Sequence, residues 1–254
     1  MDYSDILPLD PAKPIALANI FGARWHGFPV PKTFTLAEQI AMRIGERIFS
    51  SQYLPGVRVV EQDVMNEFSV SHGPVRDGFR ILEKDGLLKL NHNRGAQVSR
   101  LSVEEVTDIF EVRAALYQVV GQKTIEARHQ EVLRILEQGV KRLESFSQSE
   151  DGGEQYAKTV FVVSLLTARC SGNTRLADIV TSLALQTLRY SMLGLKSVER
   201  RQESIRLWRA AYEANLRGDV EESKRLSLVR IMKSRDEALR LIALEEAADG
   251  RAAE

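Results

Sequence analysis

The sequence predicts an α-rich protein of two domains, with an N-terminal winged helix-turn-helix followed by an all-α antiparallel helical bundle. Residues 61–86 have the pattern of two helices joined by a tight turn, and residues 87–99 have that of a short hairpin. After residue 100 no strand-like alternation appears, and long helical periods with short connections suit antiparallel packing. A chain of 254 residues is long enough for two such domains.

Composition divides the chain into four stretches. Residues 1–33 hold five of the seven prolines and no sustained period, so we expect an N-terminal arm that is partly ordered at most. Residues 34–100 form the predicted winged domain, which opens with apolar residues at every fourth position from Leu36 to Ile48. Residues 101–247 form the predicted helical domain, and residues 248–254 form a small charged tail.

The central motif is supported by local signals at each end of its helices. The first helix has the apolar face Val64, Met65 and Phe68, and the second has Val75, Phe79 and Leu82. Ser71 is a good N-cap for the second helix because its hydroxyl can accept from an unpaired backbone N–H. Gly86 can close that helix in the left-handed conformation. Residues 58–60 are a short strand that can pair with the hairpin.

The other face of the motif is polar and basic, as expected of a helix that enters the major groove by its N-terminal end. Residues 72–100 hold six Lys or Arg against three Asp or Glu, although the whole chain is neutral. The candidate DNA-binding residues are Ser71, His72, Gly73, Arg76, Arg80, His92 and Arg94. Any binding of nucleic acid must therefore come from this local patch rather than from the net charge of the chain.

Other functional classes have little support in the sequence. A single cysteine, Cys170, excludes a disulfide framework and is typical of a protein of the reducing cytoplasm. The longest apolar run near the N-terminus, residues 15–23, is too short to span a bilayer, so we expect no membrane partner. No nucleophile–base pair, phosphate-binding loop or metal-ligand spacing is present, so we do not expect an enzyme.

The second domain is predicted to contain six helices. The first starts at a capping box, Ser102 with Glu105, and extends to about residue 128. The others are predicted at about 130–147, 154–171, 174–191, 197–216 and 219–247. Arg113 falls on the apolar stripe of the first helix, where a charge must be paired. Its partner is either a carboxylate of another helix or the carboxylate of an anionic ligand.

Six separate segments resemble the GntR family of bacterial transcription regulators. They are residues 54–58, 70–76, 82–87, 93–95, 111–113 and 171–173. The helical half resembles the FadR subfamily, with its FCD ligand-binding domain, and the resemblance covers roughly residues 35–245. It implies a homodimer that binds a short palindromic operator, and a small metabolite in the helical domain that alters DNA affinity.

The resemblance also implies roles in DNA binding. Arg76 occupies the position of the family's recognition-helix arginine, which can contact a guanine bidentately or bind phosphate. His92 either matches a wing position that reaches the minor groove or is a solvated loop histidine. His72 stands where the family usually has arginine, and Gly78 with Phe79 replaces Ala-Leu. We expect these departures to change the operator sequence that is recognised.

Many FCD domains bind a divalent metal through one Asp and three His, but this chain departs from that pattern. The aligned positions are Val160, Ser164, Trp208 and Arg230. The four histidines are at positions 26, 72, 92 and 129, so a three-histidine site cannot form in the helical domain. We therefore expect no metal or other cofactor.

The resemblance favours a ligand role for Arg113, with Arg230 as a second cation. The candidate ligand-binding residues are Arg113, Tyr117, Ser164, Asn173, Trp208 and Arg230. Trp208 is either a wall of the pocket or simple core, and Asn173 also suits a helix cap. The effector is expected to be anionic, either a carboxylate or an acyl-CoA. The alternative is a constitutive DNA-binding protein whose helical core Val160 and Trp208 have filled.

Overall fold

The computed structural model describes residues 3–4, 6–27, 29–91 and 95–252, without the side chains of residues 91, 127–129 and 248–252. The chain forms two compact units. One is Ala16–Leu101, and the other combines Met1–Ile15 with Ser102–Glu254. No helix within the described ranges is both long enough and apolar enough to cross a membrane.

The first unit is the predicted winged helix-turn-helix. Its elements are α1 (Leu17–His26), α2 (Leu36–Phe49), β1 (Arg58–Val59), α3 (Glu61–Phe68), α4 (His72–Lys84), β2 (Leu88–Asn91) and β3 (Gly95–Val98). The antiparallel sheet has the order β1-β3-β2, so the short strand does pair with the hairpin. Val75, Phe79 and Leu82 of α4 are buried as predicted, and Gly86 has a φ of 75°.

The predicted capping role of Ser71 was wrong in one respect. Ser71 stands at the N-cap position of α4, but its side chain makes no capping hydrogen bond. An N-cap hydroxyl ordinarily accepts from the N–H of the second or third helical residue. The third residue here is Pro74, which has no N–H to donate. By contrast, Thr35 of α2 forms a complete capping box with Glu38.

The prediction of an arm over residues 1–33 that is partly ordered at most was also wrong, because Leu17–His26 is a helix of the first unit. Phe21 stacks on Trp25 and Phe49, with ring centroids 5.0 and 5.8 Å apart. Trp25 Nε1 donates to Asp85 Oδ2 at 2.8 Å, and Arg24 forms an ion pair with the same buried carboxylate at 3.0 Å. These tertiary contacts stabilise a helix of only ten residues, which is marginal by itself.

Residues 3–15 belong instead to the helical unit. The buried apolar side chains of this segment are Ile6, Leu7 and Ile15. Arg142, itself buried, donates to the backbone carbonyls of Asp10 at 3.0 Å and Lys13 at 2.7 Å. The guanidinium therefore binds an irregular segment through its backbone carbonyls, which any sequence at those positions would supply.

The helical unit is all-α apart from irregular connections. Its helices are α5 (Val103–Phe146), α6 (Gly153–Cys170), α7 (Thr174–Gln186), α8 (Leu188–Gly194), α9 (Val198–Leu216) and α10 (Val220–Ala252), with a short 3₁₀ turn at Glu150–Gly152. The bundle is centred on α5, which packs against α6, α7, α9 and α10. The capping box of Ser102 with Glu105 is present as predicted.

Two predicted helix boundaries in this unit were wrong. The helices expected at 102–128 and 130–147 are one continuous helix of 44 residues, because residues 128–130 contain neither Gly nor Pro to end it. The helix expected at 174–191 is two helices that meet at Thr187. That residue has a φ of −103° and a ψ of 3°, and its buried hydroxyl lies against Arg113.

Candidate functional site

A basic groove crosses the first unit beside the recognition helix. Its basic lining residues are Arg58 of β1 and His72, Arg76 and Arg80 of α4. More than 60% of each α4 side chain is exposed, since the exposed fractions are 62% for His72, 64% for Arg76 and 70% for Arg80. Three of the predicted DNA-binding residues therefore line one exposed surface.

Glu61 at the start of α3 contacts two of these basic side chains and was not predicted from the sequence. Its Oε2 lies 3.3 Å from His72 Nδ1 and 3.4 Å from Arg76 Nε. Carboxylates that hold an arginine in this way restrict its rotamers and aim its remaining N–H groups. The signal that could have revealed Glu61 is its position in the first turn of α3, the helix that precedes α4.

The other predicted DNA-binding residues differ in what the structure says of them. Ser71 and Gly73 are exposed at the N-terminal end of α4. His92 and Arg94 lie outside the described residues. Arg58 was not predicted as a site residue. It lies on β1, the short strand that precedes the helix-turn-helix.

Gly78 has a packing reason that the sequence concealed. A Cβ at this position would lie 2.9 Å from the backbone carbonyl oxygen of Ala37 and 3.1 Å from Ile40 Cγ2. Glycine thus allows α4 to approach α2 closely, and this gain offsets its poor helix propensity of about 1 kcal/mol. Gly78 is buried in the core of the domain. Packing against α2 therefore explains why Gly stands where the family usually has Ala.

The helical unit contains a partly open cavity of about 80 Å³. Five of the six predicted ligand-binding residues line it: Arg113, Tyr117, Ser164, Trp208 and Arg230. The sixth, Asn173, does not line it. Its side chain accepts from the N–H of Leu176 at 3.1 Å and caps α7. Asn173 is exposed at a helix end because a cap must lie outside the helix it closes.

Arg113 is buried in the wall of this cavity without a carboxylate partner among the described residues. Nη1 donates to the hydroxyl of Thr187 at 2.6 Å, and the guanidinium lies 4.7 Å from the centre of the Phe110 ring. Nε is buried and has no hydrogen-bond partner. Burial lowers the pKa of Arg113 below its usual value, and the neighbouring Tyr117 opposes this change. The internal salt bridge considered from the sequence is thus replaced by a hydroxyl contact.

Arg230 faces the same cavity and is less completely satisfied. Its guanidinium lies 3.8 Å from the centre of the Trp208 ring, and Nη2 is 3.5 Å from Ser227 Oγ. Nε and Nη1 are buried without partners. Burial lowers the pKa of Arg230 to about 10, so the side chain is cationic at neutral pH.

Tyr117 lies between the two guanidiniums. Burial raises the pKa of its hydroxyl, whereas Arg113, Arg230 and Ser164 act in the opposite direction. Three buried N–H groups in all, Nε of Arg113 and Nε and Nη1 of Arg230, lack acceptors within the described structure. Unpaired buried donors on two cations form a polar centre that an anion would satisfy.

The four positions aligned with a metal site do come together. Val160, Ser164, Trp208 and Arg230 all line the cavity. None offers a carboxylate or an imidazole, and a guanidinium has no lone pair for a cation. Among the described residues, no group of three or more His, Cys, Asp or Glu is arranged to hold a metal ion. The residues present do not fit a divalent metal.

The rim of the cavity contains further charges, which are paired. Glu203 forms ion pairs with Arg200 and with Lys233, the latter at 2.7 Å. Lys233 holds the pKa of the Glu203 carboxyl below its usual value, with a smaller contribution from Arg200. Glu237, the other carboxylate of the lining, pairs with Arg240 at 2.7 Å. The two rim cations therefore share one carboxylate, whereas the described residues give the inner cations none.

Two protein-family models match separate parts of the chain. Residues 36–98 match the bacterial regulatory proteins of the gntR family, and residues 108–231 match the FCD domain. The two matches fall within the two structural units, one in each.

Curated relatives have similar descriptions. An uncharacterized HTH-type transcriptional regulator, YdhC of Bacillus subtilis (strain 168), is 33% identical over 106 residues, which are 42% of this chain and 47% of that protein. The gluconate operon transcriptional repressor of the same organism is 26% identical over 116 residues, or 46% of this chain and 47% of the repressor. The chain spans about half the length of these relatives.

Solved structures share the fold at low identity. Escherichia coli McbR/YncC has a TM-score of 0.70 at 16% identity, over 83% of this chain and all of that one. A structural-genomics structure described as a putative transcriptional regulator GntR from Rhodococcus sp. RHA1 has a TM-score of 0.62 at 18% identity, over 80% of this chain and 97% of that one. At these identities the likeness concerns the fold alone.

Proposed function

Because this chain belongs to the GntR family and joins that family's helix-turn-helix to an FCD domain, we propose that it is a transcription regulator controlled by a small anionic metabolite. It binds a palindromic operator as a homodimer, and the effector in the helical domain changes its affinity for DNA. Such a protein acts in the cytoplasm, where operator DNA is accessible.

One observation carries the effector half of the proposal: two buried guanidiniums, which have no carboxylate partner among the described residues, face one cavity. A buried cation that lacks an anionic partner is costly, so it favours an anion that enters. A carboxylate can accept two parallel N–H bonds from a guanidinium, and Arg113 with Arg230 offers three unpaired donors. Tyr117 and Ser164 supply hydroxyls beside them.

The size of the cavity favours a small carboxylate over an acyl-CoA. A dry apolar cavity of about 150 Å³ holds a molecule as small as benzene. The cavity of about 80 Å³ therefore suits the head of a small acid, and a much larger ligand would require the helices to separate. Open space beside unpaired donors also favours an effector-binding domain over the alternative, a constitutive regulator whose core Val160 and Trp208 have filled.

The DNA half of the proposal is supported by the basic groove. Arg76 is exposed at the N-terminal part of α4, where a recognition helix contacts base edges. Because the chain has no net charge, its affinity for DNA depends on this local surface. The affinity should fall with added salt, with a slope set by the number of phosphates that the surface contacts. Two copies related by two-fold symmetry would bind two half-sites of a palindrome.

The test begins with selection of bound sequences from a random DNA pool. Fluorescence anisotropy then compares the selected site with scrambled DNA across a salt series. We expect a palindromic site whose affinity is lost in Arg76→Ala and kept in Arg206→Ala, a matched control on the exposed face of α9. Enrichment of no sequence, with or without small acids present, would refute the proposal.

A further inference from the structure

On the basis of the proposed function, we propose that the effector is a dianion whose second anionic group binds Arg200 and Lys233 at the rim by displacing Glu203. The inner group of the same molecule binds Arg113 and Arg230. The inference narrows the ligand to a class, short dicarboxylates, and assigns a second subsite to residues that have no other evident role.

The charge balance of the lining favours a dianion. Four cationic side chains line the cavity, namely Arg113, Arg200, Arg230 and Lys233. The two lining carboxylates are Glu203 and Glu237, and the latter is already engaged by Arg240. A monocarboxylate would compensate one of the inner guanidiniums and leave the rim unchanged. A zwitterion would add a cation to a wall that already has an excess of them, which is unfavourable at low dielectric.

Glu203 occupies the position that the second anionic group would take. Its carboxylate is shared by Arg200 and Lys233, and Arg200 Nη2 also donates to the backbone carbonyl of Lys233 at 3.1 Å. That hydrogen bond fixes the two cations side by side, on α9 and α10. Arg200 Nε is buried without a partner, so the pair of cations retains a donor that Glu203 does not satisfy.

Displacement of Glu203 is inexpensive because its side chain is near the surface. Glu203 is 30% exposed and Lys233 is 48% exposed, so the pair contributes little net stability, and the released carboxylate can return to water. An incoming carboxylate tethered to an anchored inner group has a high effective concentration at the rim. The Glu203 carboxylate and the second carboxylate of the ligand would therefore make contacts of similar strength with the two cations. The connection to the anchored inner group would then favour the ligand.

The experiment compares acids of matched chain length by isothermal titration calorimetry on the full-length protein at pH 7. Malonate, propionate and β-alanine form the three-carbon series, and succinate, butyrate and 4-aminobutyrate form the four-carbon series. We expect at least one dicarboxylate to bind about fivefold or more tightly than its monocarboxylate, and the zwitterion to bind most weakly.

Two variants identify the subsite. Lys233→Gln should remove most of the dicarboxylate advantage and leave monocarboxylate affinity unchanged, whereas Glu203→Gln should increase the advantage because the competitor is gone. Lys224→Gln is the matched control, since Lys224 lies on the same helix and pairs with Glu221 outside the cavity. Equal binding of mono- and dicarboxylates would overturn the dianion inference and leave the proposed function standing. Binding of none of the acids would overturn the anion site itself.

Discussion

Replacement of Arg113 by methionine should stabilise the unliganded protein while it abolishes the response to the effector. Arg113 is buried, and its contacts include a hydrogen bond to the Thr187 hydroxyl, a ring contact with Phe110 and an electrostatic interaction with Tyr117. Loss of these contacts costs about 2–3 kcal/mol, from a charge-assisted hydrogen bond and a cation–π contact. Removal of the buried, unpaired charge returns several kcal/mol of desolvation cost.

The balance is a gain of about 1–2 kcal/mol, close to that of other substitutions that relieve a strained functional site. Thr187 loses no obligatory partner, because its hydroxyl is also within 3.4 Å of the carbonyl of Leu183 and 3.3 Å of that of Ala184. For a domain of this size, the gain corresponds to a rise in Tm of about 2–4 °C per kcal/mol. Methionine is flexible enough to fill the vacated volume.

Arg201→Met provides the contrast. Arg201 is also buried, but its guanidinium donates to the carbonyls of Leu195 at 2.8 Å and Lys196 at 2.7 Å and to that of Ser149. Its removal leaves buried acceptors unpaired, at about 1–3 kcal/mol each, so Arg201→Met should be strongly destabilised. Thermal and urea unfolding of the three proteins without ligand measures both effects. A loss of stability in Arg113→Met comparable with that in Arg201→Met would refute the view of Arg113 as an unpaired functional cation.

Further predictions concern the first unit and the absence of metal chemistry. Gly78→Ala should lower stability by about 1–3 kcal/mol despite its better helix propensity, because the new Cβ meets the Ala37 carbonyl, and an increase in Tm would contradict the packing role. Glu61→Gln should reduce the ratio of selected-site to scrambled-DNA affinity severalfold in anisotropy titrations, since Arg76 loses the carboxylate that orients it; an unchanged ratio would remove Glu61 from recognition. Asp85→Asn should destabilise the first unit by about 2–4 kcal/mol and alter Trp25 fluorescence, because Arg24 is left unpaired, and wild-type stability would show that α1 is held by apolar contacts alone. Treatment with a chelator should change neither Tm nor operator affinity, and a fall in either would indicate a metal.

Much of the first unit was determined by the sequence itself, because its signals are local. Each signal spans only a few neighbouring residues. Examples are the helix periods of α2 and α4, the left-handed Gly86 and the polar sequence between two short strands. The same holds for the position of Arg113, which the apolar stripe of α5 places in the interior. The spacing of several such segments also identified the family, and with it five of the residues that line the cavity.

Tertiary structure alone decided the features that depend on contacts distant in sequence. The helix of Leu17–His26 exists because Phe49 and Asp85 receive its aromatic and charged side chains, and residues 3–15 are held by Arg142, more than a hundred residues away. Helix packing places Thr187, 74 residues further along the chain, beside Arg113. The guanidinium therefore contacts a hydroxyl instead of a carboxylate. Local periodicity shows that a side chain is buried, but the identity of its neighbour is set by packing between helices, and that neighbour determines whether a buried arginine is structural or available to an anion.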